Sequence, residues 1–207
     1  MSPQDYQLYY QRTLPHIQPI GATLFITFRL AGSLPNEVIQ RLKIDKRREE
    51  LEIERIPDLK ARKNSAYQAQ KRLFAKWDAE LDTARSSPHW LSVPGVAELV
   101  CAAMSYQDGK AYTLEAYCVM PNHVHLVCTP LVDGEKAYPI SKILQSLKGY
   151  TARQANLILG RRGEFWQHES YDHVVRDNAE LARIVDYVLM NPVRAGLTPK
   201  WVYCRSE

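Results

Sequence analysis

Cysteine is scarce in this chain: four residues in 207, at positions 101, 118, 128 and 204, with no Cys-x-x-Cys pair. That scatter argues against a zinc ribbon and against a disulfide framework. No apolar run approaches the ~18 residues that span a bilayer, so no membrane partner is expected. The opening Met1-Ser-Pro-Gln-Asp5 is polar. It lacks the apolar core of a secretion signal, and a cytoplasmic location is the expectation. The net charge is only +4, too mild to point to a partner by itself. One local absence says more. From Ser141 to Gly163 there is no acidic residue, while Lys142, Lys148, Arg153, Arg161 and Arg162 are all basic.

Hydrophobic residues make up 45% of the chain, enough for a globular core in one domain over residues 1–207. The most informative stretch is Tyr117-Cys-Val-Met-Pro-Asn-His-Val-His-Leu-Val-Cys-Thr-Pro130. Its β-prone, apolar character reads as a buried strand. Alternate side chains on a strand share a face. His123 and His125 therefore point one way, and Val124 and Leu126 the other. Two neighbouring imidazoles make the start of a divalent metal site. Cys118 and Cys128 bracket them and read as small core residues rather than soft ligands.

A third ligand is sought near the C-terminus. Residues 177–192 read as a helix, capped by Asp177 or Asn178 and stopped at Pro192. Leu181, Ile184, Val185, Val188 and Leu189 form its apolar stripe. Tyr187 and Asn191 lie one turn apart on one face. A phenol beside an amide, packed over paired histidines, suits attack on a phosphodiester whose oxygens a metal holds. Tyr150, with Gln154 at the same spacing, is the rival nucleophile on spacing alone.

Four patches together resemble the HUH single-tyrosine transposases, and most closely the REP-associated tyrosine transposases. They are Ile20-Gly-Ala-Thr-Leu-Phe-Ile-Thr27, Met120-Pro-Asn-His-Val-His-Leu126, Glu164-Phe-Trp-Gln-His-Glu-Ser-Tyr171 and Tyr187-Val-Leu-Met-Asn-Pro-Val-Arg-Ala-Gly196. The resemblance covers roughly residues 15–33 and 90–198. Ala22 stands where a second glycine is common in the family, and residues 35–88 exceed the short connection of compact members. The resemblance implies an RRM-like or ferredoxin-like antiparallel sheet, with the histidines on a central strand. It favours Tyr187 over Tyr150 as nucleophile. It implies His123, His125 and Asn191 as ligands of Mg²⁺ or Mn²⁺, and Thr23 and Arg29 on an opening strand that helps read DNA.

The basic stretch interleaves with Tyr150, Phe165 and Trp166, a mixture suited to single-stranded or hairpin DNA. Lys142, Lys148, Arg153, Arg161, Arg162 and Trp166 are candidate DNA contacts, and Arg194 is a candidate phosphate contact. Residues 36–85 read as two or three charged helices broken near Ile56-Pro57-Asp58, inserted into the main domain. The expected order is β, insertion, then α-β-β-α-β-α, an α+β class with helices on one face. Ser92 and Pro94 mark the start of the first helix after the insertion. Residues 1–19 read as a tyrosine-rich leader. Three functions remain in view. They are a metal-dependent DNA strand transferase, a non-catalytic nucleic-acid regulator of the same fold, and a phosphoester hydrolase using water. Monomer and homodimer are both open.

Overall fold

A computed structural model describes residues 10–11, 15–16, 19–84, 87–134, 136–197, 201 and 203–206. Most of the expected leader lies outside them, apart from a small ladder of Tyr10–Gln11 with Pro15–His16. The main elements are β1 (Leu24–Leu30), α1 (Asn36–Glu54), α2 (Leu59–Thr83), α3 (Pro94–Gln107), β2 (Tyr112–Val119), β3 (His123–Pro130), α4 (Ile140–Ile158), β4 (Trp166–Val174), α5 (Asn178–Arg194) and β5 (Cys204–Ser206). The chain divides into two compact units, residues 32–87 and the remainder.

In the larger unit the five strands form one antiparallel sheet in the order β4-β1-β3-β2-β5. The fold is the expected α+β class. Strand parity divides the side chains. Leu24, Ile26, Phe28 and Leu30 of β1 and Val124, Leu126 and Cys128 of β3 are buried in the core. Val96, Val100 and Met104 of α3 and Ile143 and Leu147 of α4 join the same cluster. Residues of opposite parity, Phe25, Thr27, His123 and His125, face the other side. Helix α5 lies there, with the Tyr187 ring packed on those of Phe25 and His125. The helices of this unit are thus α3 and α4 on one face and α5 on the other, which corrects the expectation of helices on one face only, because the α5 ring of Tyr187 packs on the histidine side.

Three local expectations change. Ser92 does not cap α3. It ends a 3-10 turn, Trp90–Ser92, and Val93 takes the cap position without a side-chain bond. The β element expected after α4 is a nine-residue strand along β1, opening at Trp166. Pro192 does not stop the tyrosine helix; α5 runs through it to Arg194. Gly196, at φ +70°, ends it instead, as the Leu197 N–H reaches back to the Pro192 carbonyl at 2.8 Å. That reversal requires a left-handed residue, which glycine adopts at little cost. Finally, Cys118 and Cys204 are joined as a disulfide between β2 and β5. Linear spacing could not reveal a pair that only sheet register brings together.

The smaller unit is a helical hairpin. Asp58 caps α2 by accepting the Ala61 N–H at 2.7 Å, and the break falls at residues 55–58 as expected. Charges of opposite sign cross between the helices: Arg72 to Glu49 at 3.2 Å, Lys76 to Asp45 at 3.3 Å, and Arg41 to Glu80. Exposed pairs of this kind each contribute at most ~1 kcal/mol. They set the register of the hairpin more than its stability.

Candidate metal and nucleophile site

The turn Met120-Pro-Asn122 joins β2 to β3, and the Met120 N–H closes it on the His123 carbonyl at 2.8 Å. His123 and His125 follow on β3, both fully buried. Their Nε2 atoms lie 3.1 Å apart. The Nδ1 atoms are held from behind. His123 Nδ1 meets Asn122 Oδ1 at 2.7 Å, and His125 Nδ1 meets Thr27 Oγ1 at 2.8 Å. An amide oxygen only accepts, so the proton of His123 sits on Nδ1 and its Nε2 carries a lone pair. The Thr27 hydroxyl can donate or accept. When it accepts, both Nε2 lone pairs converge on one point. Two lone pairs at that spacing repel unless a cation lies between them. The histidine pair therefore fits a divalent-cation site.

Thr27 stands opposite His125 in the β1–β3 register, and Arg29 stands opposite His123. Neither partner of the imidazoles was legible in the linear sequence. Asn122 lies within the histidine motif and Thr27 closes the opening-strand motif, but linear spacing gives neither a role toward the imidazoles. Cross-strand register is what makes Thr27 relevant.

Burial pushes the His125 imidazole down to about 3. The ring is neutral at ordinary pH, the form that ligates metal. An unfolded histidine titrates near ~6.5. Between those values the unfolded chain binds the extra proton, so acid favours unfolding. The contribution of His125 to stability is complete above pH ~6.5 and is lost as pH falls toward 3. We expect up to ~1.4 kcal/mol per pH unit from this group. Urea unfolding in EDTA at pH 7 and pH 5 should show it, with a flatter dependence in His125→Gln. An equal dependence in both proteins would exclude His125 as its source.

The tyrosine helix supplies the opposing wall. Asp177 caps α5 by accepting the Glu180 N–H at 2.7 Å. The Tyr187 ring meets His125 with centroids 5.8 Å apart, and meets Phe25 edge-on at 6.2 Å. Asn191, one turn further, is buried. The Arg194 guanidinium lies 4.7 Å from the centre of the Tyr187 ring. A cation over an aromatic face is attracted to it and favours negative charge nearby.

With this geometry in view, the likeness to known proteins is direct. Residues 97–191 match the family described as "Transposase IS200 like". The match runs from α3 through the histidine strand to Asn191. A Haemophilus influenzae protein named "Putative REP-associated tyrosine transposase" is 30% identical over 100 residues, covering 42% of this chain and 55% of that one. The Escherichia coli K12 REP-associated tyrosine transposase is 24% identical over 95 residues, covering 46% of this chain and 53% of that one. The chain thus spans about half the length of the curated relatives it matches. A solved REP-associated tyrosine transposase bound to a REP hairpin aligns at 15% identity with a TM-score of 0.49, covering 91% of this chain and 76% of that one.

The structure separates the basic candidates. Arg29 is on the histidine face, where burial lowers its pKa and Glu169 partly offsets that. Arg194 is exposed beside Tyr187. Lys142 and Arg153 are exposed on α4, on the opposite side of the sheet, and Arg162 is exposed just beyond that helix. Lys148 is not a free cation for DNA. Its ammonium donates to the Gln167 and His168 carbonyls at 2.6 and 2.9 Å and to Ser170 Oγ at 3.2 Å, pinning β4 to α4. Arg161 holds Asn156 Oδ1 at 2.6 Å and the Glu164 carbonyl at 3.0 Å, and lies 3.7 Å from the centre of the Trp90 ring. Thr23 shares a hydrogen bond with Thr129 at 2.8 Å across two strands.

Trp166 is only 7% exposed and cannot stack on a base where it stands. Its Nε1–H donates to Thr151 Oγ1 at 2.9 Å, and its ring meets Phe28 edge-on at 4.9 Å. It is a core residue. Trp166→Ala should therefore cost about 3–5 kcal/mol in chemical denaturation. A loss below ~1 kcal/mol, with DNA affinity falling, would restore the stacking role.

Proposed function

We propose that this protein is a metal-dependent endonuclease and strand transferase for single-stranded or hairpin-containing DNA, acting through a 5′-phosphotyrosine. The observation that carries the reading is the convergence of His123 and His125 Nε2 beneath Tyr187. His123, His125 and Asn191 would hold the ion. Two imidazole nitrogens with one amide oxygen, leaving room for phosphate oxygens, would suit Mg²⁺ or Mn²⁺ as the catalytic ion. A divalent cation held there supplies Lewis acidity to the scissile phosphate and charge compensation as the 3′ oxygen departs.

The chain's own residues do the rest. Asn122 and Thr27 hold the imidazoles in the ligating orientation. Phe25 and His125 fix the Tyr187 ring in place. Arg194, over the Tyr187 ring at 4.7 Å, places positive charge beside the nucleophile. The tyrosine oxygen attacks phosphorus, a Tyr187–phosphate bond forms, and the strand's 3′-OH is released. Attack by a 3′-OH on that linkage rejoins DNA and regenerates tyrosine without a nucleotide cofactor. Arg29 and Arg194 lie where they can take phosphates of the bound strand, while Lys142, Arg153 and Arg162 offer positive charge away from the histidines. Among the described residues no helix is long and apolar enough to cross a membrane.

The test is a denaturing gel of purified protein with end-labelled hairpin DNA. A protein–DNA band in Mn²⁺, absent in EDTA, supports the reading. Tight binding without a band across a range of hairpins would support a non-catalytic regulator, and strand cleavage without a band would support a water-using hydrolase.

A further inference from the structure

We propose that His173 and Glu180 form a positioning pair that sets the roll of the tyrosine helix over the histidine strand. The inference rests on Tyr187 being the nucleophile. His173 lies on β4 opposite Phe25, on the sheet face that carries the site. Its Nε2 meets Glu180 Oε1 at 3.3 Å, and both side chains are buried. The other carboxylate oxygen, Oε2, accepts the Arg176 N–H at 3.0 Å. One carboxylate thus joins strand β4, the loop before α5 and the first turn of α5.

Glu180, Tyr187 and Asn191 fall at i, i+7 and i+11, which places them on one helix face. The tie at Glu180 therefore acts on the same face that presents Tyr187, two turns away. Apolar packing would hold α5 against the sheet but leaves rotation about its axis soft. Directional hydrogen bonds oppose that rotation. A tyrosine tip ~5 Å or more from the helix axis moves about 1 Å for each ten degrees of roll. Displacement on that scale costs up to roughly 100-fold in an in-line attack. Burying a carboxylate and an imidazole is also costly compared with an apolar pair of similar volume. Stability alone gives little reason for this pair.

The experiment compares Glu180→Met, the double change His173→Phe with Glu180→Met, and the conservative Glu180→Gln. The first readout is the NOE between the Tyr187 and Phe25 rings, which needs neither DNA nor metal. The second is single-turnover adduct formation, measured beside the Kd values for Mn²⁺ and for hairpin DNA. Both Met-containing proteins should fold, keep the hairpin Kd within about twofold, lose the ring NOE, bind Mn²⁺ more weakly because Asn191 moves with the same face, and slow adduct formation by roughly 10- to 100-fold. Glu180→Gln should restore the NOE and most of the rate. Wild-type NOE intensity in the double variant, or an unchanged single-turnover rate, would overturn the proposal. If the unmodified protein forms no adduct at all, the nuclease reading fails, and the NOE still decides whether the pair orients the helix.

Discussion

On the proposed mechanism, Tyr187→Phe should remove the covalent DNA band and leave hairpin affinity within about twofold. The change deletes one oxygen and preserves the ring contacts with Phe25 and His125 that hold the side chain. Without a nucleophile the loss should be complete, at least 10³-fold against the background of a gel assay. Tyr150→Phe is the matched control. Tyr150 is half exposed on α4, behind the sheet from the histidines, and its removal should leave the band intact. A band that survives Tyr187→Phe and disappears with Tyr150→Phe would overturn the assignment and the face on which the chemistry is placed.

The second large effect concerns the groups behind the imidazoles. His123→Ala and His125→Ala should each abolish measurable Mn²⁺ binding by calorimetry. Asn122→Ala and Thr27→Val, which touch no ion, should each weaken it by about 10- to 100-fold, because a ligating histidine depends on the acceptor of its second N–H for orientation and basicity. Thr27→Ser keeps the hydroxyl and should stay near wild type. Unchanged affinity in both Asn122→Ala and Thr27→Val would mean that the hydrogen bonds at 2.7 and 2.8 Å serve packing alone.

How much of this was legible in advance depended on the range of each cause. Period-two alternation put His123 and His125 on one face, and period 3.6 put Tyr187 and Asn191 on another; both are local. The charged hairpin and its break at residues 55–58 were local too. Pairings set by the sheet were not legible: Thr27 with His125, His173 with Phe25, and Cys118 with Cys204. The basic stretch shows a related limit. Composition counts cations but not what they already hold, and Lys148 and Arg161 are taken up by carbonyls and an amide. Pro192 misled because its missing N–H and steric conflict fall in the final turns, where Gly196 closes the helix.

The sheet also sets a minimum footprint. The exposed cations of α4 and the tyrosine of α5 lie on opposite faces of one sheet. With ~10 Å for each packed layer, the two helix axes are about 20 Å apart. A nucleic acid that reaches both must pass around a sheet edge, a path of at least roughly six base steps at ~3.4 Å each. Oligonucleotides shorter than that can fill the site or touch the rear helix, but not both. Cleavage and retention of the DNA should therefore separate as the substrate is trimmed.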